Sequence, residues 1–153
     1  MENDWANATV MVGWLRDYLD FAVFGILGFM SFVLVGFVIE RVIFYARVDL
    51  AQFGDRHVLA VALTRHLTTV ASIASNAPYI GLLGTVLGIL VTFYDMAEGA
   101  DLSASAIMLG LALALKATAA GLLVAIPATM AYNGLLRRVD VLTGRWHSLR
   151  GDA

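Results

Sequence analysis

The chain has 153 residues, of which 60% are hydrophobic and only 14% charged, and its mean hydropathy is +0.81. Soluble domains carry about 25% charged residues, so this composition indicates a membrane protein. The absence of cysteine excludes disulfides and thiolate metal sites, and the net charge of −2 argues against nucleic-acid binding.

Residues 1–20 precede the first apolar run. They begin with MENDWANAT, which is acidic and lacks the basic region of a signal peptide, so we expect them in the mature protein. Trp5, Trp14 and Tyr18 suit the outer end of a first span, where interfacial aromatic residues are common. We therefore interpret this stretch as an outer segment that contains a short interfacial helix.

Three apolar runs are long enough to cross a bilayer, which takes about 20 helical residues. Residues 21–39 carry no charge, residues 70–94 form the second run, and residues 104–136 contain one lysine and one proline. The third run would be about 50 Å long as a helix, so it is tilted, kinked or extends beyond the bilayer. The predicted fold is an all-α membrane protein with three transmembrane helices. Three segments remain. We expect residues 40–69 to be helical from about residue 47, residues 95–103 to form a loop, and residues 137–153 to form a helical tail.

The distribution of charge orients these spans. Eight of the ten basic residues follow the first or the third run, whereas the loop DMAEGAD between the second and third runs has three acids and no base. The positive-inside rule places the basic side in the cytoplasm. The predicted topology is N-terminus out and C-terminus in, so that 1–20 and 95–103 are periplasmic and 40–69 and 137–153 cytoplasmic.

The second span carries its small and polar residues on one face. At about 100° per residue, one stripe contains Ala77, Gly81, Gly84, Thr85, Gly88 and Thr92. Each glycine costs a helix roughly 1 kcal/mol relative to alanine, so three on one face indicate close approach of another helix. Ordinary helix packing accounts for the stripe, and Thr85 near the bilayer midplane adds a hydroxyl that could meet a polar partner or an ion.

The third span repeats this pattern. Its stripe is centred on Thr118 and contains Ala114, Gly121, Ala125, Thr129 and Tyr132, with Asn133 at its edge. Two such stripes exceed what a single helix pair needs. They predict a lining shared with further helices, supplied by copies of this chain or by a partner.

Lys116 and Pro127 interrupt the apolar character of the third span. Lys116 is the only charge inside any predicted span, and intramembrane charges are candidates for function. It points away from the stripe, however, so snorkelling to the outer surface or pairing across a subunit interface explains it equally well. Pro127 leaves a backbone carbonyl unpaired and marks either a simple kink or a hinge.

Acidic residues are absent from all three predicted spans, and the chain offers no phosphate-binding loop, metal-ligand spacing or nucleophile constellation. We therefore expect neither an enzyme nor a cofactor or metal site. If the chain conducts protons, a partner must supply the carboxylate.

Two sequence blocks resemble the MotA/TolQ/ExbB proton-channel family. They are NAPYIGLLGTVLGI in the second span and LKATAAGLLVAIPATMAYN in the third, and they are most similar to a short form of its ExbB branch. The first half of the chain matches by topology alone. Where some members have a glutamate five residues before the third-span threonine, this chain has Leu113.

The resemblance implies a function and an assembly. It implies an inner-membrane pentamer around the transmembrane helices of an ExbD-like partner, coupled to TonB, that uses the proton motive force to drive transport across the outer membrane. Thr85 and Thr118 match pore-facing threonines and Asn133 a polar position toward the cytoplasm, with Thr129 on the same lining. The proton-carrying aspartate belongs to the partner.

Three alternatives stay open at this point. A TolQ-like subunit would maintain the outer membrane, a structural scaffold would form a dry helix bundle, and a small channel or transporter would use Lys116 for an anion. A neighbouring gene for a single-span protein with an early aspartate would favour the motor.

Overall fold

A computed structural model of the chain describes residues 2–97 and 103–151, and all its regular structure is helical. Within these residues, four α-helices follow one another, with a short 3-10 helix after the first. Their bounds are Glu2–Arg47 for α1, Leu50–Gln52 for the 3-10 helix, Arg56–Thr64 for α2, Leu67–Ala97 for α3 and Ala104–Arg150 for α4.

In the part of the chain that the structure describes, three stretches are long and apolar enough to cross a membrane, namely Tyr18–Arg47, Arg56–Tyr94 and Ala104–Arg150. Most of the large apolar side chains on these helices are exposed; Phe21 is 78% exposed and Leu123 75%. Such surfaces suit lipid or neighbouring helices rather than water. The prediction of an all-α protein with three membrane-length helices is therefore confirmed.

The chain between α1 and α3 is turned by local capping. Asp49 accepts a hydrogen bond from the Ala51 amide (3.1 Å) and starts the 3-10 helix. Asp55 likewise accepts a hydrogen bond from the His57 amide (2.6 Å) and caps the start of α2. His66 has a φ of 64°, a left-handed conformation that ends α2 and lets α3 begin at the next residue.

Several boundaries differ from the sequence-based expectation. Residues 2–20 continue into the first span within α1, without a break that would define a separate interfacial helix. The helix expected over residues 47–69 is interrupted before α2 and again at His66. Pro127 lies inside α4, which continues on both sides of it. Of the predicted loop 95–103, residues 98–102 lie outside the described residues.

Contacts divide the chain into two compact units. The first comprises residues 1–30 and 76–124, and the second comprises residues 31–75 and 125–153. Within the first unit, parts of α1, α3 and α4 pack through Val23, Leu27, Ala77 and Ala117, which are all less than 9% exposed.

The second unit has a larger apolar core. Seven buried residues form it: Leu59, Leu63, Leu67, Leu135, Val139, Leu142 and Trp146. The indole nitrogen of Trp146 donates a hydrogen bond to the Phe53 carbonyl (3.0 Å), which anchors the turn before α2 to α4. The buried guanidinium of Arg41 similarly donates to the Ala62 carbonyl (3.0 Å) and pairs with Glu40. Apart from Leu135, which lies near the end of the third apolar run, the seven core residues lie outside the predicted spans, where water makes burial of large side chains favourable.

Candidate functional site: the threonine pair between α3 and α4

Helices α3 and α4 meet backbone to backbone in the first unit. A Cβ atom built on Gly81 would lie 2.7 Å from the Ala117 carbonyl oxygen, and one on Gly121 would lie 2.7 Å from that of Ala77. Real Cβ contacts are longer than this, so only glycine fits at both positions. The two glycines let the helix axes approach closely enough for short polar side chains to reach across.

Thr85 and Thr118 lie beside this crossing and hydrogen-bond to each other through their hydroxyls. Thr85 is buried (7% exposed), whereas Thr118 is partly exposed. The Thr85 hydroxyl also lies 3.3 Å from the carbonyl oxygens of Gly81 and Ala114, and that of Thr118 lies 3.4 Å from the Gly81 oxygen. The pair and these carbonyls form a polar centre between two otherwise apolar helices.

This centre has more acceptors than protons. Each threonine hydroxyl has one proton to donate and two lone pairs that can accept, and either threonine can be the donor in their shared bond. One hydroxyl can therefore donate to the other while the second donates to a carbonyl, and the direction can reverse. The partly exposed Thr118 could also accept from a third group without loss of the threonine–threonine bond.

The glycines farther along α3 hold the first unit together. A Cβ on Gly84 would meet Ala117 of α4 at 2.8 Å and Val23 of α1 at 3.0 Å. A Cβ on Gly88 would lie 2.9 Å from that of Ala114. Helices α1 and α4 of the same chain therefore pack against the stripe predicted on the second span. This packing within one protomer accounts for the small residues of the stripe.

The other predicted site residues belong to the second unit. The Thr129 hydroxyl donates to the carbonyl of Ala125 in its own helix (2.9 Å), and Ala125 is buried. Asn133 and Pro127 are both exposed. The lining roles of Thr129 and Asn133, the packing role of Ala125 and the kink or hinge at Pro127 remain predictions.

Lys116 has a partner that sequence reasoning missed. Its ammonium nitrogen lies 2.9 Å from a carboxylate oxygen of Asp20 and 5.6 Å from the centre of the Phe24 ring, both on α1. The lysine therefore reaches to the outer end of the first apolar run and pairs within its own chain. The sequence does show an acidic residue, Asp20, at the end of the N-terminal segment. Nothing in the sequence, however, indicates that this residue faces the helix that carries Lys116.

Metal chemistry finds no support in the described part of the chain. Within residues 2–97 and 103–151, no three His, Asp or Glu side chains lie close enough together to hold an ion. The polar centre between α3 and α4 consists of hydroxyls and carbonyls alone. Such groups can donate or accept hydrogen bonds and so can relay or orient a proton.

Comparison with known proteins decides the family. The model of the MotA/TolQ/ExbB proton channel family matches residues 51–148. The chain is 55% identical over 136 residues to the biopolymer transport protein ExbB of Helicobacter pylori, covering 89% of this chain and 94% of that protein. It is 46% identical over 138 residues to ExbB of Aquifex aeolicus, covering 90% and 93% respectively. The chain belongs to the MotA/TolQ/ExbB proton channel family.

The similarity to these two ExbB proteins covers more of the chain than the similarity to a TolQ protein does. The Tol-Pal system protein TolQ of Pseudomonas aeruginosa is 36% identical over 107 residues, covering 65% of this chain but 46% of TolQ. The resemblance on the two sequence blocks is therefore confirmed, including its preference for ExbB. The matched family is one of proton channels, and with three membrane-length helices this member is a multi-pass protein of the bacterial inner membrane.

Proposed function

We propose that the chain is the ExbB-like subunit of an inner-membrane proton motor that energises TonB-dependent transport across the outer membrane. In this proposal it works with an ExbD-like single-span partner, whose transmembrane aspartate carries the proton. The observation that supports it is the Thr85–Thr118 centre, which offers hydroxyl groups but no acid, in a member of a proton-channel family. A carboxylate brought to Thr118 would complete the relay.

The proposed assembly is a pentameric ring with the N-terminus out and the C-terminus in. Eight basic residues on one side of the predicted spans favour this orientation. Exposed apolar side chains along all three membrane-length helices leave ample surface for contacts between copies. In this ring, Thr85, Thr118, Thr129 and Asn133 line the path, and a proton that crosses it releases about 2.3 kcal/mol per 100 mV.

Conversion of the proton gradient into movement requires that the proton path be closed when the partner is absent. Because the apolar helices offer no carboxylate, a proton would meet a barrier until the partner's aspartate neutralises its charge. Conduction should therefore depend on that aspartate, and the partner's movement would transmit the released energy to TonB.

Reconstitution with the partner tests this proposal. The chain and a single-span partner with a transmembrane aspartate are expressed together, purified and placed in liposomes that hold a pH-sensitive dye. We expect copurification, a mass that corresponds to several copies of this chain, and proton flux that disappears when the partner's aspartate is changed to asparagine. A stable monomer, or flux that persists with asparagine, would overturn the proposal.

A TolQ-like role is the second candidate, because the chain is 36% identical to a TolQ protein over 107 residues. Both roles use the same proton path and differ in what the motor drives. Complementation separates them: restored uptake in a strain that lacks ExbB supports the first role, and restored outer-membrane integrity in a strain that lacks TolQ supports the second.

A further inference from the structure

A cavity of about 250 Å³ lies between α1 and α4 in the second unit. Its walls combine apolar side chains with two arginines; they are Val42, Tyr45, Ala46, Leu135, Arg138, Val141, Leu142 and Arg145. Leu135 and Leu142 are buried and form the floor, while Val42 and Ala46 are exposed at the edge. The cavity is therefore an apolar cleft that opens to the outside beside two cationic groups.

The two arginines are positioned to act together. Arg138 and Arg145 are seven residues apart on α4, about two turns, so both lie on the side of the helix that faces the cavity. Both are exposed, and neither guanidinium has an ion pair or hydrogen bond within the part of the chain that the structure describes. Guanidinium groups bind phosphate through paired hydrogen bonds, so two free ones beside one cleft favour a phosphate ligand.

The cleft lies at the depth of lipid headgroups. Arg138 comes two residues after the apolar run of α4 ends at residue 136, and Val42 comes three residues after the run in α1 ends at residue 39. These offsets are about 3 to 5 Å along each helix, within the interfacial layer of a bilayer. Arg145 lies farther out, but side chains on a helix lean toward its N-terminus, which turns Arg145 back toward the membrane.

The geometry points to a binding site for an anionic phospholipid, which no part of the proposed proton path requires. The headgroup phosphate lies against Arg138 and Arg145, and the start of an acyl chain fills the apolar cleft along Val42 and Leu135. Basic clefts between transmembrane helices are suited to such headgroups. A free phosphate ion would leave the apolar walls unfilled, so the lining favours a lipid over a soluble anion.

Lipid titration of the purified protein in detergent, followed by native mass spectrometry, tests this inference without the partner. We expect phosphatidylglycerol to bind more tightly than phosphatidylcholine, and Arg138→Gln to weaken phosphatidylglycerol binding about tenfold or more. Arg137→Gln is the matched control, because Arg137 carries the same charge on the adjacent residue and does not line the cavity. Its effect should stay within about twofold. Ala46→Trp should weaken binding by filling the cleft while both arginines remain.

Four results would overturn the site. Equal loss in Arg137→Gln and Arg138→Gln would mean general attraction to a basic helix end, and equal binding of both lipids would remove the role of charge. Full competition by millimolar inorganic phosphate would assign the arginines to a soluble anion. A lower oligomeric mass for Arg138→Gln in lipid-free detergent would mean that a second copy of the chain occupies the cleft. Arg138 is exposed, so its substitution should leave folding intact.

Discussion

The hydroxyls of Thr85 and Thr118 hydrogen-bond to each other across the crossing of α3 and α4, at a point where Gly81 and Gly121 allow the two backbones to touch. Thr85 also has two carbonyl oxygens within 3.3 Å, and it is almost fully buried. A threonine pair in this setting can share a proton but cannot hold an additional one, since neither hydroxyl is a base at neutral pH. In the proposed proton path, the pair can therefore only relay or orient a proton that another group carries.

Thr85→Val and Thr118→Val should each abolish proton flux and energy-dependent uptake while the assembly stays intact. Valine has nearly the shape of threonine and removes only the hydroxyl, so packing between α3 and α4 is kept. The measurements are dye-detected flux in liposomes, uptake in cells and the mass of the purified assembly. We expect at least a tenfold loss of flux.

Thr92→Val is the matched control for this experiment. Among the described residues, the Thr92 hydroxyl donates to the Gly88 carbonyl of its own helix (2.9 Å), so its loss leaves the hydrogen bond between Thr85 and Thr118 untouched. Thr85→Ser, which keeps a hydroxyl, should retain partial activity. Wild-type flux in Thr85→Val would remove the threonine pair from the proton path.

The pair formed by Lys116 and Asp20 should stabilise the packing of α1 on α4. Lys116→Met leaves Asp20 without its partner, and Asp20→Asn leaves the lysine charge unpaired near lipid. Both single variants should lower the thermal midpoint of the protein in detergent, with a coupling of up to about 1 kcal/mol because both side chains are about half exposed.

The double variant Lys116→Met with Asp20→Asn tests whether the two residues act as a pair. It removes both charges, so its midpoint should exceed that expected from adding the two single effects. Strict additivity would mean that the contact contributes nothing. If Lys116→Met lowers proton flux and the added Asp20→Asn does not restore that flux, the lysine has a role in conduction instead.

The sequence contained enough information for the helices and for the threonines, but not for the pairing of charges. Apolar runs of membrane length can only be helices in a lipid-facing chain, and three glycines on one face require a close neighbour. Periodicity therefore placed Gly81, Thr85 and Thr118 on contact faces. It does not say which helix lies opposite Lys116, because the partner Asp20 is distant in sequence and belongs to a helix with no comparable stripe.

The break between α2 and α3 was unpredictable for a local reason. Helices commonly end at glycine, which adopts a left-handed φ without strain. Residues 64–67, TRHL, contain neither glycine nor proline. The turn is made by His66 at a φ of 64°, and its ring stacks on Phe37 with centroids 4.4 Å apart. A tertiary contact thus accompanies a conformation that local sequence disfavours, and this is why a continuous helix was expected.

Gly81→Ala and Gly121→Ala should each destabilise the protein by about 1 to 3 kcal/mol, the usual cost of overpacking. In both cases the new methyl group would lie 2.7 Å from a backbone carbonyl, which cannot rotate away as a side chain can. The helices would have to separate, which would also stretch the bond between the two threonines. Thermal unfolding in detergent measures the loss of stability, and proton flux in liposomes reports the effect on the threonine pair.

Gly144→Ala provides the control on the same helix as Gly121. Apart from its chain neighbours and the backbone of its own helix, no atom of the described residues lies within 4 Å of the position that its Cβ would take. The substitution should therefore be neutral or stabilising by up to about 1 kcal/mol. If Gly121→Ala is tolerated as well as Gly144→Ala, the close crossing of α3 and α4 is not a determinant of stability.

The apolar core of the second unit should depend on Leu63 much more than on its neighbour Val61. Leu63 is fully buried and Val61 is 66% exposed, although both lie on α2. Leu63→Ala should cost about 2 to 5 kcal/mol because it removes buried methyl groups and leaves a cavity against α4. Val61→Ala should stay within about 0.5 kcal/mol, as exposed substitutions usually do. Denaturant or thermal unfolding compares the two, and similar losses for both would mean that α2 does not pack on α4 in the way described.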